Sequence, residues 1–292
     1  MKYHEPVLLH EVLSYFQPLD GKVIVDCTLG DGGHTIAFLR DGAKVLGIDV
    51  SEKSLSRATE RIKSVGLSRN FVAYRGNFRD IDKIITEVGF ESVYGILFDL
   101  GYSSYQLDDA SLGLSFKSDV PLDMRIDTSL GVTAADLLNT LPEKEITGML
   151  REYSDERYAR SFAKSIVKFR SLKKFQTTKD LADLLQSVAS LGYEKGRIHP
   201  ATRTFQTLRI VVNDEFTNLK TALSKAARIL LPGGRVGIIS FHSTEDRLVK
   251  QSCQNVQPSL KLLTKKPVTP SESEVAENIR ARSAKLRIYE RI

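Results

Sequence analysis

A β-branched run that ends in an acid and then breaks into closely spaced glycines constrains this chain more than anything else in it. The run is VIVDCTLGDGGHT, residues 23–35, and it is followed by VLGID, which closes on Asp49. Glycine lets backbone come close to a ligand, and an acid at the end of the second strand can accept bonds from a ribose diol. The pair predicts an α/β domain that holds a nucleoside cofactor. A dinucleotide fingerprint wants a third glycine at position 35, where this chain has Thr35. That glycine lets helix and strand close beside a pyrophosphate, so its replacement favours the phosphate-free methyl donor S-adenosylmethionine over a nicotinamide. A tight βα turn without a ligand is the plainer alternative. His34, beside the glycines, suits either a ligand contact or local packing.

The organisation around this feature is rhythmic. Residues 22–27, 44–49, 70–74 and 93–99 read as strands, with helices at 35–39, 53–65 and 81–88 between them, the pattern of a parallel, doubly wound sheet. A loop rich in Gly, Ser and Asp follows to about residue 130, then candidate helices at 134–138, 143–151, 155–170 and 178–190. The α/β character returns with a long helical crossover at 204–231, a turn at Pro232-Gly233-Gly234 and a buried strand at 235–240. Residues 251–277 read as a loop with short strands, and 280–292 as an edge or near-edge strand. The expected domains are a core at 1–104, a helical insert at 105–198 and the rest of the core at 199–292.

Composition narrows the class. No run of 18 apolar residues and no small-residue cleavage site is present, so a cytoplasmic protein without a membrane span is expected. Cys27 and Cys253 have no metal-ligand spacing, and no HExxH or paired histidines appear, so no metal is needed. The net charge of +6 raises the prior for a phosphate-rich partner. Arg151, Arg157, Arg160, Lys164, Lys168, Arg170, Lys173 and Lys174 face only Glu152, Asp155 and Glu156 in the same stretch. Such an excess suits a phosphate backbone or a solvated helix face.

A second chemical island is ILFDLGYSS, residues 96–104. Asp99 should emerge at the carboxyl end of its strand, where ligands bind, with Tyr102, Ser103, Ser104 and Gln106 close behind. These side chains can hold a planar base, or Asp99 can simply cap a turn. Methyl transfer to an amine needs the nucleophile placed in line and its proton removed, and Asp99 can orient the amine by accepting a hydrogen bond. In PLDMRID, residues 121–127, Arg125 can bind phosphate or pair with Asp123 or Asp127.

Taken in order, HEPVLLHEVL, DCTLGDGGHT, FDLGYSSYQLD, PLDMRID, HPATRTFQTLRIVVNDE, PGGRVGIISFHSTEDRLVK and ARSAKLR resemble a bacterial S-adenosylmethionine-dependent methyltransferase family that modifies N4 of a cytidine in 16S ribosomal RNA. The resemblance runs nearly end to end. It implies a Rossmann-like class I methyltransferase sheet with a small inserted helical domain. It places Gly32, Gly33, His34, Asp49, Phe78, Asp99 and Gln106 at the methyl donor, with Asp99 orienting the amine and Tyr102 positioning the base. Ser103, Ser104, Arg125, Arg209, Asn213, His242 and Arg247 fall on the substrate side, beside Ser240, Glu245 and Asp246. The implied partner is 16S ribosomal RNA within a small-subunit particle, and a homodimer is compatible. The chain departs from the family pattern at Leu112, where a basic contact is lost, at Thr244, where Leu is usual, and at Ile279, where Pro is common. A noncatalytic ribosome-assembly or RNA-binding protein and a nicotinamide-dependent oxidoreductase are the rival readings. The broken fingerprint counts against the latter.

Overall fold

The computed structural model describes every residue except 1, 2, 4, 103–105, 107, 108, 191, 255, 257 and 258. The chain divides into two compact units, Met1–Ser103 with Phe216–Ile292, and Ser104–Glu215. The first stretch runs α1 (Leu9–Phe16), β1 (Val23–Asp26), α2 (Gly33–Arg40), β2 (Lys44–Asp49), α3 (Glu52–Ser64), β3 (Phe71–Arg75), α4 (Ile81–Glu87) and β4 (Val93–Asp99). The second unit carries α5 (Ala134–Thr140), α6 (Glu143–Ser154), α7 (Ala159–Leu172), α8 (Thr178–Val188) and α9 (Ala201–Val212). The chain then returns with α10 (Glu215–Ile229), β5 (Leu230–Ser240), α11 (Ser243–Gln254), β6 (Leu260–Leu262), α12 (Glu272–Glu277) and β7 (Lys285–Arg291).

The strands form one seven-stranded sheet in the order β3-β2-β1-β4-β5-β7-β6. Neighbours from β3 to β5 pair in parallel, and β7 runs antiparallel to both β5 and β6. The chain steps outward from β1 to β3 and then crosses back to β4 on the other side of β1. The carboxyl ends of β1 and β4 therefore flank a switch point, where an α/β sheet opens a crevice.

Alternate residues point to opposite faces, and both faces are covered, which is why these strands read as continuous apolar runs. Val25, Leu46, Ile96 and Ile238 pack with apolar residues of α4, α10 and α11. Ile24, Val45, Leu97 and Ile239 pack with those of α1, α2 and α3. Each fully buried aliphatic or aromatic side chain contributes roughly 1.5–3 kcal/mol. Phe16 of α1 reaches the sheet only because two strands carry glycine beneath it. A Cβ on Gly95 would lie 2.7 Å from Phe16 Cδ1, and one on Gly237 would lie 2.9 Å from Cε2.

The second unit is helical, with α6 and α7 packed together and α9 lying on both α6 and α8. Thr133 and Asp136 start α5 with reciprocal side-chain caps, and Thr177 and Asp180 do the same for α8. By packing, the helical unit includes α9, which lies on its other helices. Two local expectations need correction. The crossover expected at 204–231 is two helices: the Asn213 side chain accepts from the Ile126 amide, and Asp214 turns left-handed at φ 50. The expected turn at Pro232-Gly233-Gly234 is an excursion within β5, where pairing with β4 steps from Val93↔Leu230 to Gly95↔Arg235. Strand β7 takes the expected near-edge position, with β6 outside it.

The Phe16 slot gives a test of the packing. Gly95→Ala is expected to destabilise the protein by about 1–3 kcal/mol through overpacking, measured by urea denaturation. Combined with Phe16→Ala, which removes one of the two side chains that a Cβ at position 95 meets and leaves Ile24 Cδ1 at 2.6 Å, it should cost less than the sum of the two single changes.

Candidate active site

At the switch point, Asp26 ends β1 in the interior, 2% exposed, and accepts bonds from the Thr35 hydroxyl at 2.7 Å and the Thr28 amide at 3.2 Å. Loss of water pushes Asp26 up to about 6 despite those bonds. Thr28 accepts the Asp99 amide on Oγ1 at 2.7 Å, which ties the end of β4 to the end of β1. The Asp99 side chain is 19% exposed, but its Oδ1 is buried and has no hydrogen-bond partner among the described residues. Burial first, then the charges of Asp26 and Glu245, push Asp99 up to about 8. Cys27, beside Asp26, is driven well above the ordinary thiol range by burial, which unsuits it for nucleophilic work.

The glycine turn lies between these acids and Asp49. Gly32 adopts φ 72 at the start of α2, a left-handed conformation that side-chain-bearing residues seldom take. The Gly30 amide donates to Asp49 Oδ2 at 3.0 Å and the Ser51 amide to Oδ1 at 2.8 Å. The Val50 amide bonds to the same carboxylate, so three backbone bonds orient Asp49 and leave it with little more than one further acceptor position for a hydroxyl. Burial pushes it up to about 6. Behind the turn, Arg57 grips Asp31 at 2.7 and 3.1 Å, and Arg61 donates to the Asp31 carbonyl at 3.0 Å. Both guanidinium groups lie over the Tyr3 ring, 5.5 and 4.6 Å from its centre.

The segment before α1 straps this turn from outside. Pro6 sits so close that a Cβ on Gly33 would lie 3.0 Å from its Cδ. The Val7 carbonyl accepts from His34 Nε2 at 3.0 Å, and Leu8, left-handed at φ 55, donates its amide to Glu274 Oε1 at 2.7 Å. With its Nε2 hydrogen committed to a carbonyl, His34 turns Nδ1 toward Asp99, 3.8 Å from Oδ2. At the end of β5, Glu245, 3% exposed, accepts the Phe241 amide at 2.8 Å and lies 2.9 Å from His242 Nε2. The Glu245 amide donates to His242 Nδ1 at 3.2 Å, and the Thr244 hydroxyl meets the same nitrogen at 2.6 Å. A leucine at position 244 has no hydroxyl for that bond.

The structure thus gathers Gly32, Gly33, His34, Asp49 and Asp99 at the strand ends of one unit, with Phe78 edge-on to Phe98 at 5.6 Å and Tyr102 half-buried just past β4. Arg247 is exposed on α11, while Asp246 of that helix pairs with Arg287 at 2.7 and 3.0 Å. Gln106, buried, belongs to the second unit, as do Arg125, Arg209 and Asn213. Arg125 makes one of the pairings its sequence allows: it forks onto Asp123 at 2.7 and 2.8 Å and donates to the Leu130 carbonyl at 2.7 Å. Arg209 forks onto Glu215 at 3.0 and 3.1 Å, and Asn213 donates to the Met124 carbonyl at 2.8 Å. Ser103 and Ser104 lie outside the described residues. Thr28, Arg57, Pro6 and Val7 were not legible as site residues. Only the acid closing the first strand hinted at the bonds around Asp26.

An anionic crevice of this kind suits a cationic nucleoside. Asp49 keeps acceptor room for a ribose hydroxyl, Phe78 and its neighbours supply an apolar wall, and the partnerless oxygen of Asp99 sits among other acids. Among the described residues no group of three or more His, Cys, Asp or Glu side chains is placed to hold a metal, and no helix is long and apolar enough to cross a membrane.

Comparison with known proteins agrees with this chemistry. The model of the MraW methylase family matches residues 1–292. A protein of Syntrophotalea carbinolica named ribosomal RNA small subunit methyltransferase H is 44% identical, with 99% of this chain and 98% of that protein covered. A protein of the same name from Deinococcus radiodurans is 46% identical, with 99% and 89% covered. Among solved structures, an rRNA methylase from Streptococcus thermophilus aligns with a TM-score of 0.47 at 13% identity, covering 97% of this chain and 96% of that one. These relatives give the nicotinamide and noncatalytic readings no support. Matched from its first residue to its last, the chain belongs to the MraW methylase family.

Proposed function

We propose that this chain transfers a methyl group from S-adenosylmethionine to N4 of a cytidine in 16S ribosomal RNA, with Asp99 orienting the amine. The observation that carries the role of Asp99 is its buried, partnerless Oδ1 at the switch point. When bound, the donor supplies an electrophilic methyl group on a sulfonium. Asp49 would accept from the ribose hydroxyls, the Gly32–Gly33 backbone would admit the methionine side, and Phe78 would wall the adenine. Asp99 Oδ1 accepts a hydrogen bond from the exocyclic amine and fixes its lone pair toward the methyl carbon. As the new N–C bond forms, the methyl–sulfur bond would break with its electron pair going to the sulfur, leaving the neutral thioether S-adenosylhomocysteine, and Asp99 would take the proton from the amine that has become cationic. A carboxyl held near 8 is a far better proton acceptor than one at its usual value, so the desolvation of this site serves the second half of the reaction. His34, pinned by Val7, limits how far the carboxyl can turn. Tyr102 supports the base, which has to leave its stack to be reached. His242, Arg247, Arg125, Arg209, Asn213, Ser103, Ser104 and Gln106 are assigned to shaping the two binding sides. The reading extends to RNA carried in a small-subunit particle, to a cytoplasmic setting and to a homodimer. Naked RNA compared with particles, and sedimentation, test the first and last of these.

The function is tested by mapping ribosomal RNA from cells with and without the gene. One N4-methylcytidine in 16S RNA is expected to disappear on deletion, and an unchanged modification pattern would sink the assignment. Asp99→Asn keeps the shape but not the proton acceptor, and should lower single-turnover methylation by roughly 10²–10⁴-fold.

The raised pKa values set the pH dependence. Asp99 must be ionised to accept from the amine, so the wild-type rate should climb with pH, with a midpoint between the usual carboxylate value and about 8, and the climb should vanish in Asp99→Asn. Asp49 must likewise be ionised to accept a diol, so affinity for S-adenosylhomocysteine should fall as pH drops below about 6. Asp49→Ala should weaken that affinity by roughly 10–100-fold in calorimetry, since bonds to a charged acceptor contribute about 1.5–3 kcal/mol. Asp26 and Asp49 hold protons that the unfolded chain releases, so both oppose stability as pH rises from 3.8 to about 6.

A further inference from the structure

The helical unit spends four of its eight arginines on itself, and two of the others gather with a lysine at one concavity. Arg170 donates to the Leu138 and Leu141 carbonyls at 2.6 and 2.7 Å, Arg203 meets Glu194 at 3.0 Å, and Arg125 and Arg209 fork onto acids as described. At the amino end of α7 the arrangement differs. Arg157, Arg160 and Lys164 line an open pocket of about 650 Å³ with Tyr158, Ser161 and Glu143. Both arginines and the lysine are exposed, and among the described residues none of the three has a carboxylate within ion-pair distance.

The local chain is built to aim them outward. Asp155 ends α6 in the left-handed region at φ 50, and Glu156 turns inward, 2% exposed, where it accepts the Tyr158 amide at 2.8 Å and the Tyr193 hydroxyl at 2.5 Å. Tyr158 is stacked on Phe162 at 5.7 Å and linked to Ser190 at 2.6 Å, so the floor of the pocket is a fixed aromatic ring. Arg157 is left on the solvent side of this turn, ahead of α7, and Arg160 and Lys164, four residues apart on the helix, line the same pocket about one turn of 5.4 Å from each other. Three unpaired cations converging on one concavity repel each other. Nothing in the helical packing requires them there, since the buried face of α7 is Ala159, Phe162, Ala163 and Ile166.

We propose that this pocket docks the phosphate backbone of the RNA substrate, with Arg157, Arg160 and Lys164 contacting phosphate oxygens and Tyr158 offering a ring edge to the ribose or base. The proposal deepens the reading of the chain as an RNA methyltransferase and rests on it for the identity of the nucleic acid. Glu143 at the rim leaves the lining with a net charge of two positive units, from three cations and one carboxylate. That suits a polyanion with successive charges better than a single small anion. The pocket adds affinity without sequence information, because phosphate contacts position an RNA and base contacts specify it.

The test uses the full chain and a fragment of 16S ribosomal RNA, with affinity read by fluorescence anisotropy at salt concentrations from about 50 to 300 mM. Each phosphate contact contributes roughly 0.7–0.9 to the slope of log affinity against log salt. The triple variant Arg157→Gln, Arg160→Gln, Lys164→Gln should therefore show a slope smaller by roughly 2, while binding S-adenosylhomocysteine as the wild type does. A control triple of other exposed lysines in the same unit, Lys144→Gln, Lys168→Gln and Lys174→Gln, should change the slope much less. An unchanged slope in the first variant overturns the pocket, and so does an equal loss in the control, since binding would then follow net charge alone. If the wild type binds the RNA but methylates none, the assignment of function fails. A lost slope in the first variant would still establish the pocket. Thermal melts of both variants guard against misfolding, and surface changes of this kind are expected within about 0.5 kcal/mol.

Discussion

Everything above the sheet depends on one carboxyl kept out of water. Asp26 closes β1 where the sheet divides, and its bonds to Thr35 and Thr28 fasten the first helix and the first loop to the strand. Thr28 passes that order on to β4 through the Asp99 amide. The same burial makes Asp26 a source of negative potential felt by Asp99, so the group that sets the geometry also sets the proton affinity of its neighbour. In water both roles would weaken, because solvent would screen the charge and compete for the hydrogen bonds.

The strand ends of the donor site were legible because they rest on local chemistry. A glycine-rich turn after a β-branched run and an acid closing the next strand announce themselves within thirty residues, and β2, β4 and Asp49 stand where that pattern puts them. What the sequence could not disclose depends on partners far away in the chain. Whether Arg125 pairs with Asp123 or Asp127 is decided by a fork geometry that spacing leaves open. The break between α9 and α10 turns on Asn213 being drawn to Met124 and Ile126, and the NDE triplet was a readable sign of it, since Asn and Asp tolerate left-handed backbone. The strap over the glycine turn was invisible, because Pro6 and Val7 look like any apolar lead-in to a helix.

The two units use positive charge in opposite ways. In the helical unit, Arg125 and Arg170 serve as internal clamps on loop carbonyls, where a planar fork can satisfy several acceptors at once. Beside the glycine turn, Arg57 and Arg61 brace an acid and a carbonyl from behind while resting on Tyr3. In these places arginine is a fastener, and its charge is matched close by. A sequence count of basic residues mixes these fasteners with the unmatched cations of α7, which is why net charge alone says so little about where a polyanion would sit.

The strap has a consequence for how the protein is made. Leu8 is held in its left-handed turn by Glu274, a bond across 266 positions of sequence. Translation delivers amino-terminal residues first, and domains ordinarily begin to fold as they emerge. Here the strap over the donor turn waits for Glu274, far along the chain, before Leu8 can be held in place. Until that residue has been made, the acids at the sheet switch can take their places while the flank of the glycine turn stays open.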